Sequence, residues 1–239
     1  MNKGIKIIIA AALSTVIALS MTSCSLFFNE EGDFVGLSNI ISAIYGEESN
    51  GDEDLITSEG IEVGILDDGQ YTILGIGECT DSHLVLPGKL TSGHGMEHTI
   101  KSISSGAFST NGAITTVTVM KGVEIIESNA FSVCTNLSDI NLPSTLTAIK
   151  ERAFYRCSLD SLILPSNVKY IGDFAFADNA LTSVVIGDLV EYIGEGAFIN
   201  NNRLTTVYYE GSEEEFNAIE IGKDAFPESV TVIFNSGEK

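Results

Sequence analysis

The sequence contains no tryptophan, only three histidines, and only 12 lysines and arginines against 33 aspartates and glutamates. Each shortage removes a class of function. A formal charge of −21 surrounds the chain with a field that repels phosphate backbones, which excludes nucleic acid as a partner. Scarce histidine leaves few groups that exchange protons near neutral pH. Also missing are a G-x-S-x-G elbow, a phosphate-cradling glycine loop and a carboxylate pair spaced for acid–base work, and nothing calls for a cofactor. The 44% hydrophobic content of 239 residues is nonetheless ample for a buried core.

Long apolar runs are lacking too. The run "IIIAAALSTVIAL" (7–19), preceded by Lys3 and Lys6, is too short to span a bilayer and reads as the core of an export signal. Thr22 and Ser23 before Cys24 resemble the lipobox of bacterial lipoproteins, which implies cleavage before Cys24 and a diacylglycerol on its thiol. Residues 1–23 are therefore expected to be a signal peptide, with the membrane reached only through the lipid. Loss of Lys3 and Lys6 leaves 10 basic residues against 33 acidic, a charge near −23.

Residues 24–60 form an acidic tether. From 25 to 60 there are nine acidic side chains and no basic one, a composition that stays extended and solvated. Inside it Phe34, Leu37, Ile41, Ile44 and Tyr45 share one helical stripe, with Asp33 as N-cap and Gly46 as stop. Docking of that stripe on the folded domain, and its contact with a membrane interface or a partner, are both open readings.

The rest of the chain repeats itself. Phe108, Phe131, Phe154, Phe176, Phe198 and Phe226 each follow an alanine, at intervals of 23, 23, 22, 22 and 28 residues. Five residues before each stands an isoleucine, from Ile103 to Ile221, and V-x-x-I-x-x-x-A-F describes five of the six units. After each of the first five Phe comes an alternating run, such as "LTSVVI" (181–186) and "LTTVYY" (204–209). One coil of this length cannot bury its own apolar face, but stacked coils share a core. The pattern predicts a β-rich solenoid with short turns, in which the runs pair as parallel strands and the phenylalanines superimpose rung by rung.

These motifs resemble the BspA-like leucine-rich repeat, L-T-x-V-x-I-P-x-x-V-x-x-I-G-x-x-A-F-x-x-C. The resemblance covers residues 61–239. It implies a leucine-rich-repeat solenoid over 100–239 with a C-terminal cap at Tyr208 to Phe226, and an N-terminal cap over 61–99 that opens with the hairpin "ILDDGQYTI" (65–73). Asp68-Gly69 between apolar strands is itself a type I′ turn signal. Terminal coils need such covers. For function the family implies adhesion to surface proteins of a host or neighbouring cell.

Export makes disulfides available, yet Cys134 and Cys157 both lie three residues after their Phe, where other units have Asn111, Asn179 and Asn201. Buried ladder thiols are expected there, and Cys79 has no evident partner. "HGMEH" (94–98) matches the zinc-binding H-x-x-E-H, which needs both histidines on one helix face. Gly93 and Gly95 favour a loop instead, so no metal is assigned; a metal-dependent hydrolase on His94, Glu97 and His98 is the enzymatic alternative.

Outward strand positions are mostly small and polar, except the row Ile163, Val185, Tyr208 on adjacent rungs. An exposed apolar row can mark an interface, although β-branched and aromatic residues also favour sheets for their own sake. Tyr170 and Tyr192, six residues before their Phe, form a second outward pair. The expected function is a lipid-anchored, non-catalytic recognition module at the bacterial cell surface, binding a protein or a glycan; a periplasmic structural protein is the other alternative.

Overall fold

In the computed structural model the described residues are 5–6, 58–91 and 96–234. Cys24, the tether up to residue 57 with its apolar stripe, His94, and all of the segment read as signal peptide except residues 5–6 lie outside them. Residues 58–91 and 96–234 form a β-solenoid. Each coil contributes a longer strand, a short strand and a turn that carries the Ala-Phe pair.

The longer strands are β4 (His83–Leu86), β7 (Thr116–Val119), β9 (Asp139–Asn141), β11 (Ser161–Ile163), β13 (Ser183–Ile186), β15 (Thr206–Tyr209) and β17 (Thr231–Phe234). All pair in parallel and in one register, so that Val184, Val207 and Val232 are partners in sequence. Such registry is what a repeated inward side chain enforces, because a slip of one residue would turn the whole apolar set outward. This ladder is longer than the sequence repeats suggest, since β4 adds a rung before the first Phe and β17 one after the last. It breaks into two sheets between β9 and β11. The break falls where the spacing from Phe to the following Leu first shortens, at Phe154 and Leu159.

The second ladder runs through β6 (Glu97–Ile103), β8 (Ile125–Ile126), β10 (Ala148–Ile149), β12 (Tyr170–Ile171), β14 (Tyr192–Ile193) and β16 (Glu220–Ile221). Ile103, Ile126, Ile149, Ile171 and Ile193 superimpose in it and are fully buried. The sixth copy departs from this: Ile221 is 40% exposed, because β16 ends the ladder and no further rung covers it.

Between the ladders the six phenylalanine rings form one column, with successive centroids 5.0 to 5.5 Å apart and planes nearly parallel. The alanine has two tasks. Its methyl leaves room for the ring, and its carbonyl accepts the N–H of the Phe one coil earlier, as in Phe108 N–H to Ala130 O at 2.7 Å and Phe154 N–H to Ala175 O at 2.8 Å. Residues two before and two after the Phe turn the chain through left-handed backbone angles, for example Asn129 and Val133 around Phe131, and Arg152 and Arg156 around Phe154. That geometry costs about 1–2 kcal/mol for a residue with a side chain. It is offset because it aims N–H groups along the solenoid axis, Asn129 to Glu151 O and Val133 to Tyr155 O.

The N-terminal hairpin is β2 (Glu62–Ile65) with β3 (Tyr71–Gly75), and β3 joins the short-strand ladder beside β6. A two-residue strand β1 (Ile5–Lys6) flanks β2. The turn is not the expected type I′, which needs positive φ at both Asp68 and Gly69; only Gly69 has it, at 84°. Leu66 O accepts from Gly69 N–H, so Asp67 and Asp68 form the bend and Gly69 closes it. At the other end the five-residue helix α1 (Glu213–Asn217) is held by a capping box between Ser212 and Glu215. It lays Phe216 edge-on against Tyr209 and Phe234.

Candidate interaction surface

Alternation along β11, β13 and β15 buries Leu162, Val184 and Val207 and turns Ile163, Val185 and Tyr208 outward. Register then sets those three in a line, Ile163 opposite Val185 and Val185 opposite Tyr208. The structure adds a fourth member that the sequence reading missed, Ile233 on β17, opposite Tyr208. Ile163 is 74% exposed, Tyr208 45% and Ile233 47%. Beside this row runs a hydroxyl row, Ser161, Ser183, Thr206 and Thr231. Toward the N-terminus the same positions hold Val85, Thr118 and Asn141, and there Thr118 is buried although strand alternation places it outward. Val85 and Asn141 flank it on the adjoining rungs.

Tyr170 and Tyr192 lie on the other ladder, away from that row. Their rings stack 4.8 Å apart with planes 8° from parallel, and the Lys150 ammonium sits 4.6 Å over Tyr170. Tyr192 O–H donates to Asp173 Oδ1 at 3.4 Å, and burial followed by the Asp173 charge pushes its phenol up. Both tyrosines are half-buried and partnered, so they are less available than the outward position alone suggests.

The residues three after Phe131, Phe154, Phe176 and Phe198 form an internal polar column. Cys134 S–H points at Phe108 O (3.1 Å), Cys157 at Phe131 O (3.2 Å), while Asn179 Nδ2 donates to Phe154 O (2.8 Å) and Asn201 Nδ2 to Phe176 O (2.9 Å). Every one reaches the carbonyl one coil back. Asn111, in the first such coil, accepts from Ala113 N–H instead. Cys79, Cys134 and Cys157 are buried free thiols. Burial pushes the Cys134 thiol up to about 11 and raises Cys157 further in the same direction. In the native protein at pH 8 both are therefore expected to resist iodoacetamide for hours, with full labelling only in denaturant; mass spectrometry of the alkylated peptides reads this, and rapid native labelling of either would show an opened column.

Glu97 and His98 do not lie in a loop. They are neighbours on β6, paired antiparallel with β5 (Lys89–Thr91), so their side chains leave opposite faces of the strand. Glu97 Oε2 is 3.9 Å from Lys89 Nζ, and the His98 ring packs on Tyr71 with centroids 4.7 Å apart. A helix face presenting two histidines to one zinc ion is incompatible with this strand. Among the described residues no cluster of three potential metal ligands occurs, and no helix is long and apolar enough to cross a membrane.

Residues 101–233 match the BspA type leucine rich repeat region in six copies. The chain is similar to a leucine-rich repeat protein from Bacteroides capillosus, with 30% identity over 56% of this chain and 99% of the other and a TM-score of 0.48. It is similar in fold to the pneumococcal vaccine antigen PcpA, with 24% identity, 73% and 42% coverage and a TM-score of 0.55. A leucine rich cell surface protein from Faecalibacterium prausnitzii gives 21%, 78% and 56% coverage, and 0.52. No curated protein matches.

Proposed function

Because the chain belongs to the BspA-type leucine-rich repeat family, we propose that it is a non-catalytic recognition module that binds a protein at the bacterial cell surface, anchored there by a lipid on Cys24. The observation that carries this reading is the outward row Ile163, Val185, Tyr208, Ile233. Four aligned apolar side chains stabilise the sheet by cross-strand contact but leave one side facing water, and a partner that covers them recovers about 25 cal/mol for each Å² buried. Aromatic and branched residues at the centre of a patch are also where binding energy concentrates. The lipid anchor is supported by the charged and apolar leader ending in Thr22-Ser23-Cys24. Surface placement is favoured by a cell-surface protein of like fold.

The test is capture of cell-surface proteins by the full-length protein and by its Ile163→Asp, Val185→Asp, Tyr208→Asp variant. Three carboxylates on the row should reduce recovery of specifically bound protein at least tenfold, since one lost hot spot already costs about 2 kcal/mol. Undiminished capture by a variant with wild-type melting behaviour removes this row as the interface.

A further inference from the structure

The outward face of β11, β13, β15 and β17 carries no charge at all: its positions are Ser161, Ile163, Ser183, Val185, Thr206, Tyr208, Thr231 and Ile233. In a chain of formal charge −21 this is a neutral window. The chain just beyond the C-terminal ends of β13 and β15 is acidic. Glu210 follows β15 directly, continues the outward alternation of Thr206 and Tyr208, and accepts from Ser166 Oγ at 3.3 Å. Asp188 lies beside it, its carbonyl 3.4 Å from the Tyr209 hydroxyl. Glu213 and Glu214 stand exposed in the first turn of α1, which has no basic residue in its last turn. None of these four carboxylates belongs to an ion pair among the described residues.

Resting on the protein-binding reading above, we infer that the partner is a cationic amphipathic polypeptide segment, which lays apolar side chains along Ile163, Val185, Tyr208 and Ile233 and lysines or arginines on the Asp188, Glu210, Glu213, Glu214 border. Charge complementarity selects this occupant. A second copy of the chain would bring an equally acidic border against this one. A neutral segment would leave the carboxylates beside an apolar contact with no counter-charge, at a desolvation cost. A basic segment is attracted from a distance by the negative field and gains affinity where the border charges pair at the rim of a desolvated row.

The probe is a labelled 14-residue amphipathic peptide of leucine and lysine, titrated with the full-length protein by fluorescence anisotropy at two salt concentrations. Two peptides of equal length accompany it, one with glutamine in place of lysine and one of lysine alone. Binding of the Leu/Lys peptide is expected to exceed both by at least tenfold and to weaken with salt. Ile163→Ser with Tyr208→Ser should lower affinity about tenfold, and Glu210→Gln, Glu213→Gln, Glu214→Gln should lower it similarly while flattening the salt dependence. Thermal melts check that both variants remain folded, and a variant that does not is replaced by its single substitutions. The inference is overturned if the Leu/Lys peptide fails to bind, if oligolysine binds as well, or if the serine variant binds as well as wild type. Equal, row-dependent binding of the glutamine peptide also overturns it, yet leaves the protein-binding function standing.

Discussion

Phe154→Ala is expected to cost about 4 kcal/mol of folding stability and to lower the melting temperature by about 10 °C. Phe154 lies in the middle of the column, 5.2 Å from the Phe131 ring and 5.3 Å from Phe176, and is almost wholly buried. Its removal forfeits the burial of one ring and two stacked contacts, and it leaves a cavity that the neighbouring coils cannot close. Their spacing is fixed by the backbone bonds Phe131 to Ala153 and Phe154 to Ala175. The loss has a second consequence in a solenoid, where each coil is stabilised only by its neighbours: a defect at the centre uncouples the coils on either side. Urea denaturation should therefore show a lower midpoint and a shallower slope for Phe154→Ala. Phe226→Ala is the internal comparison. That ring is only partly buried and stacks on one neighbour, Phe198 at 5.1 Å, so about 1–2 kcal/mol is expected with the slope unchanged. Equal effects at the two positions would mean that the column is not what couples the coils.

The column was legible in the sequence because every coil solves the same packing problem, so the Phe, the small residue before it and the isoleucine five before it recur at one place in the cross-section. The outward row Ile163, Val185, Tyr208 was legible for the same reason, since strand alternation and repeat register together fix the face. What escaped has physical causes as well. Left-handed backbone is usually signalled by glycine, yet in the turns only Gly106 and Gly196 give that signal; elsewhere Thr, Asn, Val, Arg, Phe and Asp occupy the same angles, held there by bonds to the next coil. Ile233 was missed because the insertion carrying α1 displaces the last strand from the spacing of the others. Ile221 obeys the repeat in sequence but sits on the final rung, and burial depends on a neighbour that the motif does not encode. Glu97 and His98 resembled part of a zinc motif until β5 paired with them, Glu97 with Thr91 and His98 with Leu90, contacts of which the local pattern carries no trace.

Asn201→Ala is expected to cost about 3 kcal/mol, although it removes hardly any apolar surface. The amide is fully buried and serves three backbone groups: Oδ1 accepts from Leu181 N–H at 3.1 Å, and Nδ2 donates to Phe176 O and to Phe198 O, both at 2.9 Å. Phe176 O keeps a second donor in Asn179 Nδ2 at 3.1 Å. The alanine variant therefore strands Leu181 N–H and Phe198 O in the interior, and each unpaired buried group costs about 1–3 kcal/mol. The sequence contains its own partial remedy, for Cys134 and Cys157 fill the equivalent position with a thiol that donates to the carbonyl one coil back. Asn201→Cys is accordingly expected to restore only the bond to Phe176 O, which keeps Asn179 Nδ2 in either variant, to leave Leu181 N–H and Phe198 O unserved, and so to recover no more than about 1 kcal/mol of the loss. Chemical denaturation of the two variants gives the ranking, and amide exchange at Leu181 gives the cause: exchange there should accelerate in both, since neither side chain supplies the acceptor. A loss below about 1 kcal/mol for the alanine, with Leu181 still protected, would mean that water enters the column and replaces the amide, and that the turns are held by their backbone bonds alone.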